Sequence, residues 1–222
     1  MDDLEIITTS DGSHTLRNKQ LNETYHSIHG ALQESMHVFI KNGLLYHFEN
    51  HHTKNISILE VGFGTGLNAL LTLQHAIQHH FRIRYTTLEP FPLREDVWSK
   101  LNYADSDKDK QHFKALHEAG WGSEIAFTPE FMILKLNTSL QEAQLNEVYD
   151  VIYFDAFAPA VQPELWVYET LEKVTALLKP GGVFVTYSAK GQLKRDLKSL
   201  GLKVETLPGP PGKNEMVRAV RV

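Results

Sequence analysis

The chain contains no cysteine. That excludes disulfides, thiolate-held zinc and a cysteine nucleophile. No stretch approaches the roughly 20 apolar residues of a membrane span. The acidic start Met1-Asp2-Asp3 is followed by no apolar run, so no secretory signal is expected and a cytoplasmic location is. Net positive charge is missing too: 22 Lys and Arg stand against 27 Asp and Glu, a balance of −5. There are no internal repeats and no low-complexity segments. Histidine is plentiful at 12 residues, but none falls in a metal-ligand motif with a carboxylate at matching spacing. Adjacent His79-His80 cannot both face one ion along a helix. No metal is expected.

What is present suits one buried core. The 222 residues are 42% hydrophobic and 22% charged, ordinary values for a globular protein. The most informative stretch is Ile58-Leu59-Glu60-Val61-Gly62-Phe63-Gly64-Thr65-Gly66. An apolar strand runs into three alternate glycines, and the helical spacing Leu67, Leu70, Leu71 follows. Glycines there let the backbone turn tightly and approach a ligand closely. The spacing G-x-G-x-G differs from the dinucleotide fingerprint G-x-G-x-x-G. With Glu60 two positions ahead, it suits S-adenosylmethionine. A second strand, Ile83 to Leu88, ends in Glu89, 23 residues beyond Gly66. Such folds place a ribose-binding carboxylate at about that distance. A helix-initiating acid ahead of Pro90 and Pro92 is the other reading.

The remaining elements alternate. Residues 4–17 read as a hairpin about Ser10-Asp11-Gly12, and a helical spacing from Ile28 closes at Asn42-Gly43. Residues 1–50 are expected to form an N-terminal extension packed over the cofactor mouth, and residues 51–222 the core domain. Within the core we expect one or two helices over 93–119, a third strand at 131–134 and a short helix at 140–145. A fourth strand ends at Asp155, where open parallel sheets bind ligands. A helix from Pro163 through Leu178, a sharp turn at Lys179-Pro180-Gly181-Gly182, a fifth strand, a basic helix at 190–200 and two final strands complete the chain. This alternation predicts an α/β fold with a mostly parallel, seven-stranded sheet and helices on both faces. Residues 190–222 carry eight Lys and Arg against three Asp and Glu. That basic end on an acidic body points either to a localised anionic partner or to a solvated surface.

Four segments together resemble one family. They are Leu59 to Asn68; Asp155-Ala156-Phe157-Ala158-Pro159 with Pro163-Glu164-Leu165-Trp166; Gly181-Gly182 with Thr186-Tyr187-Ser188-Ala189; and Gly209 to Met216. From about Thr9 to Val222 the chain is similar to the methyltransferase half of the MnmC family and its free-standing MnmD form. The resemblance implies a Rossmann-like class I S-adenosylmethionine-dependent methyltransferase. It further implies conversion of 5-aminomethyl-(2-thio)uridine to 5-methylaminomethyl-(2-thio)uridine at the tRNA wobble position, with the tRNA anticodon region as partner and no membrane.

On that resemblance the cofactor is expected against Tyr25, Glu60, Gly62, Phe63, Gly64, Thr65, Gly66, Asn68, Glu89, Asn137, Asp155, Ala156 and Phe157. Asp155 is the candidate for orienting and deprotonating the acceptor amine, or else only positions the cofactor. Lys190, Lys194, Arg195 and Lys213 are expected on RNA phosphates, and Tyr187 with Phe157 on the splayed base, unless those rings merely pack. Two departures stand out. Asn137 occupies the place where the family commonly carries an Asp near the adenine. The chain is also too short for the FAD oxidase half of MnmC, so a separate oxidase or aminomethyl-forming enzyme is expected upstream. Competing functions are a spermidine-synthase-like aminopropyl transferase, a small-molecule or protein methyltransferase, and a non-catalytic cofactor-binding module.

Overall fold

The structure, a computed structural model, describes residues 3–222, so the Met1-Asp2 start lies outside it. The chain begins with a small antiparallel sheet of β1 (Leu4–Thr8), β2 (His14–Asn18) and β3 (Glu23–Thr24). A helical stretch follows: α1 (Ala31–Ser35), a π-helical segment Met36–Leu45, and α2 (Tyr46–His51). Gly43 does not stop this helix. A Cβ there would stand 3.0 Å from Val185 and 3.1 Å from Tyr153. The glycine serves close approach of the helix to the sheet.

The main sheet contains β4 (Asn55–Val61), β5 (Arg82–Leu88), β6 (Glu124–Thr128), β7 (Phe131–Leu136), β8 (Tyr149–Phe154), β9 (Leu178–Thr186), β10 (Leu202–Pro208) and β11 (Glu215–Arg221). Its spatial order is β10-β11-β9-β8-β4-β5-β7-β6. The centre, from β9 through β7, is parallel, while β11 and the edge strand β6 run antiparallel to their neighbours. The eighth strand, unexpected from the sequence, is β6. It is short and half-exposed, so its alternation of Ile125 and Phe127 is faint.

Side chains along the central strands alternate between two cores. Ile56, Ile58, Val151 and Tyr153 face one, with the N-terminal helical stretch, α3 (Leu67–His79), the short α4 (Glu95–Trp98) and α5 (Asp107–Glu118). Leu59, Val61, Ile152 and Phe154 face the other, with α6 (Tyr168–Ala176) and α7 (Gly191–Ser199). Among the described residues no helix is long and apolar enough to cross a membrane.

Three local expectations are corrected. Residues 140–142 form a turn and 143–145 are irregular, with no helix. The Lys173 ammonium takes the Gln141 and Ala143 carbonyls at 2.8 and 3.0 Å, satisfying groups that a helix would otherwise bond internally. The Lys179-Pro180-Gly181-Gly182 turn lies inside β9, where pairing with β8 jumps from Tyr149↔Leu178 to Val151↔Val183. Gly181 takes the left-handed φ of 75° that this bulge requires. Pro163 opens a 3-10 turn, Pro163–Leu165, and α6 begins only at Tyr168.

The topology fixes where a ligand binds. Connections from β4 proceed outward through β5 to β7, and β8 then returns to the opposite side of β4. The order reverses between β4 and β8, and crevices at such switch points take ligands at the strands' carboxyl ends. The glycine turn follows β4, and Asp155 follows β8.

Candidate active site

A cavity of about 1260 Å³ opens at that reversal. It is lined by the glycine turn, Glu89 to Arg94 after β5, Asn137 to Glu142 after β7, and Asp155 to Ala158 after β8. The N-terminal segment 18–28 and Glu34 of α1 close it from the other side.

The turn is held in left-handed backbone, with φ of 95°, 49° and 75° at Gly62, Gly64 and Gly66. A Cβ on Gly62 would stand 2.6 Å from the Asp155 carbonyl oxygen, so a side chain there would push β4 and β8 apart. Gly64 N–H donates to Glu89 Oε2 at 2.9 Å, and Phe91 N–H donates to Oε1 at 2.8 Å. Each carboxylate oxygen keeps a further lone pair for a hydroxyl donor. Burial pushes the Glu89 pKa upward, opposed by those two N–H donors. The Asn137 amide donates to the Glu89 and Pro90 carbonyls at 2.9 and 3.2 Å, which leaves its Oδ1 as the group for a ligand.

The turn is braced from behind by residues with no sequence signature. Lys135 is buried, and its ammonium donates at 2.8 Å to the Leu116 and His117 carbonyls in the last turn of α5. It stands against the Phe63 and Trp121 rings, and burial lowers its pKa to about 8. His117 stacks on Trp98 at 4.6 Å, and its Nε2 donates to the Thr65 carbonyl at 3.1 Å. Burial keeps that imidazole neutral, with its pKa lowered to about 3. Gly66 packs against it and caps α3, outside the cavity lining.

Asp155 sits opposite the glycine turn. Its backbone N–H donates to the Val61 carbonyl at 3.0 Å, which ties it to β4. Asn68 Nδ2 donates to its Oδ2 at 2.8 Å. Burial, then the nearby Glu34 carboxylate, push the Asp155 pKa up to about 7 against the pull of Asn68 and Lys213. A carboxylate poised near neutrality is suited to accepting a proton. Glu60, by contrast, is fully buried beneath the turn and outside the cavity lining. Thr87 Oγ1 donates to its Oε2 at 2.7 Å, and burial raises its pKa to about 8, so it is mainly protonated at neutral pH.

Tyr25, Gly62, Phe63, Gly64, Thr65, Asn68, Glu89, Asn137, Asp155, Ala156, Phe157, Tyr187 and Lys213 all line the cavity. Tyr25 and Phe157 meet edge to face at 5.0 Å. Tyr187 does not present a bare ring to a base, because the Lys213 ammonium lies 3.7 Å from its centroid. Lys213 is turned inward onto Glu34 instead of outward to solvent. Lys190 and Arg195 are exposed outside the lining, and Lys194 pairs with Glu215 at 3.2 Å. Sequence reasoning missed Glu34. Its one signal is an acid placed among the buried positions Ala31 and Ser35. Gln162 and Trp166 were missed as well: Phe157 N–H donates to Gln162 Oε1 at 3.0 Å, and Trp166 Nε1 donates to the Phe157 carbonyl at 2.8 Å.

These residues fit an adenosine-bearing sulfonium. Gly62 lets the Asp155 backbone close against the turn, the Glu89 carboxylate is fixed for hydroxyl donors, and the cavity has room for a nucleoside with an amino-acid tail and a second molecule.

Comparison with known proteins agrees. The chain is 30% identical over 210 residues, 90% of its length, to the tRNA 5-methylaminomethyl-2-thiouridine biosynthesis bifunctional protein MnmC of Leptospira interrogans, of which it covers 32%. It is 30% identical over 235 residues to the MnmC protein of Pseudoalteromonas atlantica, across 97% of this chain and 33% of that one. The chain thus spans about a third of the length of these curated relatives. The crystal structure of MnmC2 from Aquifex aeolicus superposes with a TM-score of 0.81 at 27% identity, over 97% of this chain and 70% of that one. Spermidine synthase from Thermotoga maritima, at a TM-score of 0.51 and 14% identity over 100% of this chain and 73% of that one, shares the fold alone. Residues 112–222 match the S-adenosyl-L-methionine-dependent methyltransferase family, and the chain belongs to it, with its similarity running to the methyltransferase part of MnmC proteins.

Proposed function

We propose that this chain methylates the primary amine of 5-aminomethyl-(2-thio)uridine at the wobble position of tRNA. The observation that carries the reading is Asp155, a carboxylate with its pKa near 7 between the glycine turn and the Tyr187–Lys213 end of the cavity. The names of the MnmC relatives supply the substrate class. Bound S-adenosylmethionine supplies an electrophilic methyl on a sulfonium with its own leaving group. The protein then has two tasks: alignment, and delivery of the acceptor as free amine.

Glu89, the glycine turn and the Asn137 Oδ1 hold the nucleoside part of the cofactor. Asn68 fixes Asp155 Oδ2, so Oδ1 receives the proton of the acceptor ammonium and later returns it to solvent. The amine lone pair freed by that transfer would form the new N–C bond as the C–S bond breaks, its electron pair going to the departing neutral thioether. Ala156 and Ala158 leave room beside the carboxylate for the acceptor. Tyr25 and Phe157 wall the cavity and reduce access of water that would compete for the methyl.

RNA binding is assigned to the exposed face of α7 and its N-terminal Lys190, with Arg195 and Lys198, while Lys194 and Lys213 are already held by Glu215 and Glu34. Replacing Lys190, Arg195 and Lys198 together by Ala is expected to weaken tRNA binding. The slope of its log–log salt dependence should flatten by about 1 for each phosphate no longer neutralised. Cofactor affinity stays unchanged. A triple variant with the parent's salt slope makes the basic end a solvated surface. The reading as a whole is tested by nucleoside mass spectrometry of tRNA from a strain lacking the chain. Unmethylated aminomethyl-uridine is expected to accumulate, and an unaltered nucleoside profile overturns the assignment.

A further inference from the structure

One end of the cavity already holds a primary ammonium, that of Lys213. Its Nζ lies 3.7 Å from the Tyr187 ring centroid and pairs with the Glu34 carboxylate. Both partners are fixed independently of the lysine. Glu34 is buried on α1, and its Oε2 accepts from Ser27 N–H at 2.6 Å. The Tyr187 hydroxyl donates to the Ala156 carbonyl at 2.8 Å, which sets the ring beside the residue following Asp155. A ring face and a buried carboxylate converging on one point are the chemistry that recognises an alkylammonium.

We propose that the enclosure of Glu34, the Tyr187 face and Asp155 is the subsite for the acceptor's –CH2–NH3⁺ group. Lys213 is its internal placeholder, carried out by the 209–214 loop when the acceptor enters. This deepens the amine-methylation reading and rests on it. A lysine side chain ends in the same –CH2–NH3⁺ group as an aminomethyl substituent. The Tyr187 face and Glu34 Oε1 are both taken by the Lys213 ammonium, and a second cation entering there would meet the charge of the first. In the ligand-free protein Lys213 balances Glu34, whose burial alone would be costly. On exchange one cation replaces another and the local charge is conserved, until Asp155 Oδ1 takes the acceptor's proton.

The loop holds its own shape. It is closed on itself by Gly209 N–H to the Asn214 carbonyl at 3.0 Å and Lys213 N–H to the Pro210 carbonyl at 2.9 Å. Pro211, Gly212 and Asn214 are exposed. His37 Nε2 donates to the Pro208 carbonyl at 2.8 Å at the loop's base, while Pro210 is buried and Gly212 lies against the His29 ring, so an outward swing releases those contacts together with the Lys213–Glu34 pair. Other titratable groups facing the enclosure are Glu23, whose charge acts on Tyr187, and His26, kept neutral by burial.

The test titrates two amines, benzylammonium and 5-aminomethyluridine, and the neutral control 5-methyluridine, into protein saturated with S-adenosylhomocysteine. Both amines are expected to bind Lys213→Ala about tenfold tighter than the parent, since the occupied fraction no longer reduces apparent affinity. Adding Glu34→Gln should abolish the gain, while 5-methyluridine binds all three proteins alike. S-adenosylhomocysteine affinity reports that each variant is folded. Amines that bind Lys213→Ala no tighter than the parent overturn the proposal and make Lys213 a fixed part of the site. Should Lys213→Ala not fold, amide hydrogen exchange on the parent decides. Exchange across 209–214 is expected to rise with 5-aminomethyluridine and not with 5-methyluridine, and no rise overturns the placeholder. If benzylammonium gains affinity while no aminomethyl-uridine accumulates in tRNA of the deletion strain, the subsite stands and the tRNA reading falls. The opposite pattern removes the subsite alone.

Discussion

Asp155→Asn is expected to lower kcat by roughly 10²–10⁴ with cofactor affinity little changed. The substitution keeps the side chain's shape and an acceptor oxygen for Asn68 but removes the charge that receives the proton. The pH profile carries the sign. In the parent the carboxylate must be ionised, so kcat falls as pH drops through about 7. In the variant that limb disappears, and activity climbs with pH as solvent supplies more free amine. Stability moves the other way. A carboxyl raised from 3.8 to about 7 binds its proton more tightly when folded, so it stabilises below the lower value and loses that contribution as pH rises through the upper one. Asp155→Asn should flatten that segment of the stability curve. If the variant instead loses cofactor affinity and keeps single-turnover methylation, Asp155 only positions the cofactor.

Glu89→Ala is expected to weaken cofactor binding by about 1.5–3 kcal/mol, the scale of a lost hydrogen bond to a charged group. Two effects contribute. The hydroxyl acceptor disappears, and the N–H groups of Gly64 and Phe91 lose the carboxylate that holds them in place. Glu89→Gln keeps one oxygen acceptor and should lose less. Calorimetry with S-adenosylhomocysteine measures both variants, and an unchanged affinity in folded Glu89→Ala removes Glu89 from the site.

The glycine-turn side of the cavity was legible in the sequence because its signals are local. Gly62, Gly64 and Gly66 follow one strand at fixed spacing, and Glu89 and Asp155 each end another. A parallel sheet brings such strand ends together without any further information. Glu60 shows the limit of that reasoning. Its neighbours in sequence are at the cavity, yet strand alternation turns its side chain beneath the turn. The Tyr187–Lys213 end of the cavity was legible only in part, because its geometry comes from distant segments. Glu34 and Lys213 are 179 residues apart, and only the fold of the N-terminal helix over the sheet makes them a pair. Lys135 reads as an ordinary polar position in β7 until α5 ends above it with two free carbonyls. Gly43 reads as a helix stop because composition does not reveal the sheet behind it.

The central claim is that the methyl group goes to the exocyclic amine of a tRNA wobble uridine. The direct measurement incubates the purified chain with methyl-labelled S-adenosylmethionine and tRNA carrying 5-aminomethyl-2-thiouridine, followed by nucleoside mass spectrometry with fragmentation. The expected result is label on the side-chain nitrogen alone, giving 5-methylaminomethyl-2-thiouridine, at a rate that Asp155→Asn reduces by at least about a hundredfold. Label on another atom of the tRNA, or none while calorimetry shows the cofactor bound, would contradict the assignment.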